Sequence, residues 1–178
     1  MLKIFDELET KRKDTRLGIP REEGEALYTF IKEHNIKRVV ETGIAWGFTS
    51  HYILAALPKD GLLISLELNE TIYTGIVVPK EWQARWIKYF GPSTENLKEV
   101  FIEHPNIDLF FHDSCHNFDT QMFEYKTALA FVKYLGSHDI KLQGPPYAWN
   151  SFIIQTRAPV LLKKGQLGIA RIKGVETK

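Results

Sequence analysis

The sequence predicts an α/β fold: a mainly parallel twisted sheet with helices on both faces, closing in an antiparallel hairpin. Three observations carry this. Short apolar runs at residues 39–40, 62–66 and 107–111 alternate with segments of helical periodicity. Gly43, Gly47, Pro58 and Gly61 punctuate the joins. Two last apolar stretches flank Lys163-Lys164-Gly165-Gln166, as in a hairpin.

The elements follow in order. Residues 1–18 form a charged N-terminal extension with a short helix over 3–8, and the whole of 1–178 reads as one domain. Pro20 with Arg21-Glu22-Glu23 starts a helix whose stripe is Leu27, Phe30 and Ile31. Arg38-Val39-Val40-Glu41 is a buried strand, followed by a glycine turn and a helix from Phe48 that Pro58 stops. Leu62-Leu63-Ile64-Ser65-Leu66 is its parallel neighbour, ended by Glu67. Residues 81–86 suit a short helix with Trp82 and Trp86 on one face, and 87–90 a strand. After the turn Gly91-Pro92-Ser93 a helix is expected over 96–102, then the strand Ile107-Asp108-Leu109-Phe110-Phe111. Asp119-Thr120 would cap the next helix, striped by Met122, Tyr125, Leu129 and Val132 and ending near Leu135-Gly136. Gly144-Pro145-Pro146 makes a loop, residues 148–157 a helix, and 159–172 the hairpin.

Bulk properties narrow the function. Hydrophobic residues at 44% and charged residues at 25% suit a soluble globular chain. A net charge of +1 argues against bulk binding of nucleic acid or anionic membrane. The basic run Lys11-Arg12-Lys13 is flanked by Glu7, Glu9 and Asp14 and reads as solvated. Cys115 is the only cysteine, so an intrachain disulfide is excluded and a reducing compartment is expected. No apolar run reaches the roughly 20 residues of a membrane span, and residues 1–7 lack a signal core, so the expected location is cytoplasmic.

Chemistry is expected where the strands end. In open parallel sheets ligands sit beyond the carboxyl ends of strands, against helix N-termini. Ala45 stands where a dinucleotide fingerprint needs its second glycine, which counts against a nicotinamide-dependent oxidoreductase. Glu67 lies 24 residues after Gly43, at the spacing of an acid that accepts ribose hydroxyls. His112-Asp113-Ser114-Cys115-His116 and Ser137-His138-Asp139 crowd two further ends with polar groups. Trp46 and Trp149 suit either core packing or the wall of a ligand pocket.

Taken together, these segments resemble the class I S-adenosylmethionine-dependent methyltransferases, in particular their small O-methyltransferase-like branch. Val40-Glu41-Thr42-Gly43-Ile44-Ala45-Trp46-Gly47 is similar to that family's cofactor loop, Leu66-Glu67 to its ribose-binding motif, and the segment from Ile107 to His116 to its D-x-x-H strand end. The resemblance implies a Rossmann-like three-layer sandwich and S-adenosylmethionine as cofactor. It implies Glu41, Thr42, Gly43, Ala45, Gly47, Thr49 and Ser50 at the methionine end, Glu67 on the ribose, Ser93 near the adenine, and Asp113 close to the sulfonium and acceptor. The expected acceptor is a small molecule, through one of its oxygens, and a homodimer is left open.

The acceptor proton can be handled in two ways. His116 can serve as general base. Alternatively Asp113 and Asp139 can hold Mg²⁺ or a similar cation that acidifies the hydroxyl. The chain departs from the family pattern at Pro92, at Cys115 and at Ile140, where relatives often carry acid, acid and asparagine. The segment before Ser137 also looks too short for a full fifth strand. Those departures keep a second reading open, a non-catalytic module that binds a nucleoside or a partner.

Overall fold

The computed structural model describes residues 5–12, 18–142 and 145–172. Five strands run parallel: β1 (Arg38–Thr42), β2 (Leu62–Glu67), β3 (Trp86–Phe90), β4 (Ile107–His112) and β5 (Val132–Ser137). A hairpin of β6 (Val160–Lys164) and β7 (Leu167–Arg171) joins antiparallel through β7. The order is β3-β2-β1-β4-β5-β7-β6. The winding direction reverses between β1 and β4, which opens a crevice at their carboxyl ends.

The period of two along each strand divides the core. Val39, Leu63, Leu109 and Phe111 pack on one face with helices α1 (Asp6–Arg12), α2 (Arg21–Glu33) and α3 (Phe48–Ala56). Val40, Ile64 and Phe110 pack on the other with α4 (Ser93–Glu103), α5 (Phe118–Ala128) and α6 (Ala148–Thr156). Phe110 and Phe111 are both fully buried; each such side chain contributes about 1.5–3 kcal/mol of transfer free energy. The sheet is therefore a rigid base for the loops at its end. Among the described residues no helix is long and apolar enough to cross a membrane.

Several local expectations change. The N-terminal helix runs from Asp6 to Arg12 rather than over 3–8, of which residues 3 and 4 lie outside the described residues. Gly144 of the expected loop lies outside them too. Residues 80–85 form a 3₁₀ turn and Trp86 opens β3, so Trp82 and Trp86 share no helix face. Trp86 is instead buried, donating from Nε1 to Ser65 Oγ at 2.9 Å. Helix α4 begins at Ser93, earlier than expected. Asn117 caps α5 by accepting the Thr120 N–H at 2.8 Å, in place of Asp119. That helix ends at Ala128, and β5 follows as a complete inner strand between β4 and β7. The apparent truncation of the fifth strand is thus corrected. Trp149 is 2% exposed and packs beside Phe152 in the core rather than walling a pocket.

Candidate active site

The turn after β1 is held by backbone geometry. Gly43 has φ +86°, and a Cβ there would strike the Asp113 carbonyl. Ala45 also lies in the left-handed region, φ +46°, a conformation that costs an L-residue roughly 1–2 kcal/mol. Glu67 offsets that cost. Its Oε2 accepts the N–H groups of Ile44 and Ala45, each at 2.9 Å, and its Oε1 accepts from Leu68 at 2.7 Å. From the far side, Gly75 N–H donates to Ala45 O at 2.9 Å and Val77 N–H to Trp46 O at 3.1 Å. Trp46 stacks on Tyr73 with ring centroids 4.9 Å apart.

Two cavities open at the strand ends. The first, ≈ 410 Å³, lies among Ala45, Glu67, Pro92, Ser93 and Ser114. The second, ≈ 430 Å³, lies among Trp46, Thr49, His116, His138 and Asp139. Gly43, Ala45 and Asp113 line both. Asp113 is therefore part of a wall common to both cavities.

Beneath the first cavity sits a buried carboxylate, Glu124 of α5. Its Oε2 accepts from Thr42 Oγ1 at 2.7 Å and His112 Nδ1 at 2.6 Å. Its Oε1 accepts from Ser93 Oγ at 2.6 Å and Ser114 Oγ at 3.0 Å. Burial alone would raise this carboxyl, but the bonds from His112, Ser93 and Thr42 outweigh it and hold it below the ordinary carboxylate range.

In the second cavity Asp113 ties three elements together. Its Oδ2 accepts from Thr49 Oγ1 at 2.6 Å, and its Oδ1 lies 3.3 Å from His138 Nδ1. His138 Nδ1 also lies 3.4 Å from Asp139 Oδ2, and its Nε2 is 3.1 Å from Glu23 Oε2 of α2, at ion-pair distance without hydrogen-bond alignment. Burial lowers the His138 imidazole, but Asp113 and Asp139 together push it up to about 10, so it is an imidazolium at neutral pH. His116 goes the other way: burial first, then the neighbouring His112, hold it below the usual histidine value. Its Nε2 is 3.2 Å from Asp139 Oδ2. That contact has no hydrogen-bond alignment, and Nδ1 is buried from solvent with no hydrogen-bond partner among the described residues, which leaves Nε2 as the ring nitrogen an acceptor can reach.

The structure gathers most of the expected residues. Thr42, Gly43, Ala45, Glu67, Ser93 and Asp113 line the first cavity, and Thr49, Asp113, His116 and Asp139 the second. Gly47 caps α3 with φ +85° and, like Glu41 and Ser50, lines neither. Glu41 and Ser50 are fully buried behind the turn, where Glu41 Oε2 accepts from Ser50 and Ser65, each at 2.7 Å. Sequence reasoning missed Glu124 and Glu23, and named His112 and Ser114 only as part of a polar strand end. One signal was present for Glu124: Gln121, Glu124 and Ala128 share a helical face that is buried in the fold, although two of them are polar.

A family model described as O-methyltransferase matches residues 1–139, most of the chain. The chain belongs to the O-methyltransferase family. Solved structures agree on the fold of this methyltransferase. An O-methyltransferase from Bacillus cereus, in complex with SAH, superposes with a TM-score of 0.73 at 14% identity, covering 97% of this chain and 92% of that one. The O-methyltransferase TomG from Streptomyces achromogenes, in complex with SAM and involved in tomaymycin synthesis, gives 0.74 at 15%, covering 98% and 91%. A putative caffeoyl-CoA O-methyltransferase from Staphylococcus aureus gives 0.74 at 16%, covering 97% and 93%.

Three side chains that could ligate a cation converge in the second cavity of the methyltransferase. One ligand atom from each of Asp113, His116 and Asp139 lies within 4.8 Å of the others. Two carboxylates and an imidazole fit a divalent ion in kind. Against that, the His138 imidazolium already contacts one oxygen of each carboxylate.

Proposed function

We propose that this methyltransferase moves the methyl group of S-adenosylmethionine to an oxygen of a small-molecule acceptor. The observation that carries the reading is the shared wall: the two cavities meet at Gly43, Ala45 and Asp113. A sulfonium methyl at that wall lies between its donor and an acceptor in the second cavity, as in-line displacement requires. The two solved relatives in complex with SAH and SAM support the choice of donor.

Each residue then has a task. Glu67 accepts the ribose hydroxyls, exchanging its turn amides in part for them. Ser93 lies at the base end, and Gly43, Ala45 and Thr49 hold the methionine end. Glu41, Ser50 and Gly47 support that turn from behind. The acceptor oxygen attacks the methyl carbon, the carbon–sulfur bond breaks, and the electron pair remains on sulfur. His116, neutral at pH 7, takes the hydroxyl proton. The His138 imidazolium fixes Asp113 and Asp139 beside it.

The clustered donors favour a second reading for the proton step. A divalent ion held by Asp113, His116 and Asp139 would lower the acceptor's pKa as a Lewis acid. Calorimetry with S-adenosylhomocysteine tests the cofactor assignment, and turnover with a panel of hydroxylated acceptors tests the reaction. We expect turnover to survive exhaustive chelation and to fall about 10²–10⁴-fold in His116→Gln, with cofactor affinity unchanged. Loss on chelation, restored by Mg²⁺ or Mn²⁺, would transfer His116 from base to ligand.

A further inference from the structure

The buried Glu124 fixes the direction of two hydroxyl hydrogen bonds in the first cavity, those of Ser93 and Ser114. An ionised carboxylate only accepts, so each hydroxyl that meets it must spend its single proton on it. Ser93 and Ser114 both do so, at 2.6 and 3.0 Å, and both residues line the cavity. What remains on each oxygen is lone pairs. Thr42 Oγ1 and His112 Nδ1 occupy the other carboxylate oxygen, so Oε1 keeps a protein donor only while at least one of the two serines faces it. Four donors on a carboxylate with no solvent exposure leave little room for rearrangement.

We propose that Glu124 is a specificity-determining residue: it turns the Ser93 and Ser114 hydroxyls into hydrogen-bond acceptors toward the base pocket, and so selects a purine that presents a 6-amino donor to them over one that presents a 6-oxo acceptor. A 6-oxo group would place its lone pairs against those of the serines, an unpaired contact in a partly buried site. Glu124 touches no ligand itself and acts through the two hydroxyls. In Glu124→Gln the amide can donate as well as accept, and a serine proton becomes free to turn toward the cavity. This inference rests on the proposal that the first cavity takes the adenosyl group.

The test compares S-adenosylhomocysteine with its 6-oxo counterpart, S-inosylhomocysteine, by calorimetry on the full chain. The wild type is expected to prefer the 6-amino ligand by about tenfold or more, and Glu124→Gln to bring the ratio toward one. A loss of packing alone would weaken both ligands and leave the ratio unchanged, which overturns the proposal. Ser93→Ala with Ser114→Ala, which leaves Glu124 in place, should erase the preference as well and serves if Glu124→Gln does not fold. A wild type that binds both ligands equally also overturns it. Binding of neither ligand to folded wild type refutes the adenosyl assignment of the cavity, and this inference falls with it.

Discussion

The Glu67 carboxylate accepts the Ala45 N–H at 2.9 Å, so the acid ending one strand braces the turn that ends its neighbour. Ala45 holds a left-handed backbone without being glycine, and this bond is part of what keeps it there. The residue assigned to the ribose is therefore also a structural tie.

Glu67→Ala removes both roles. Binding of S-adenosylhomocysteine should weaken by about 1–3 kcal/mol, the cost of hydrogen-bonding groups left without partners. Calorimetry reads this directly, and unchanged affinity would remove Glu67 from the ribose.

Gly43→Ala tests the turn itself. Its φ of +86° disfavours any side chain, and the new Cβ would collide with the Asp113 backbone. Destabilisation of about 1–3 kcal/mol is expected, seen as a lower melting temperature. A variant that melts with the wild type would show that the turn and the Asp113 loop are not in contact in solution.

Glu41 should make stability depend on pH. Burial raises its carboxyl from 4.5 to about 8, against the opposing bonds from Ser50 and Ser65. The folded chain then holds a proton that the unfolded chain has released, so stability falls as pH rises from about 4.5 to about 8 and levels off above it. Glu41→Gln should lose this slope. Denaturant titrations of both proteins at pH 5, 6.5 and 8 check it, and parallel curves would show Glu41 ionised in the core.

His138 should act in the same direction over a higher pH window. Its pKa is raised from 6.5 to about 10, so the stabilisation it gives is full below 6.5 and disappears as pH climbs toward 10. In chelator-treated protein, the gap in stability between wild type and His138→Gln should be widest near pH 6 and shrink steadily toward pH 10. A gap independent of pH would mean that its carboxylate neighbours do not raise the His138 pKa.

The outer architecture was legible because strand ends and turns carry local signals. Val39 and Val40 face opposite layers as a doubly covered strand requires, and Gly43, Glu67 and Asp113 lie at the cleft. Strand β5 was not legible. Met122, Tyr125, Leu129 and Val132 keep a helical spacing across the true boundary, yet Leu129 is 36% exposed and Val132 belongs to the sheet. Periodicity cannot register a helix that stops while its apolar pattern continues by coincidence. Glu124 was hidden for another reason, and so were the partners of His138. The residues involved, from Glu23 to Ser93, come from distant segments, and only tertiary packing brings them within hydrogen-bond reach. Glu41 shows the reverse: its motif was recognisable, but its orientation into the core was not.

Gly75 and Val77 hang from the carbonyls of Ala45 and Trp46 by two backbone bonds. The glycine turn is thereby tied to the 71–78 segment: it cannot swing outward unless that segment peels away with it or both bonds break. The hydrogen-exchange protection of those two amides should therefore rise and fall together.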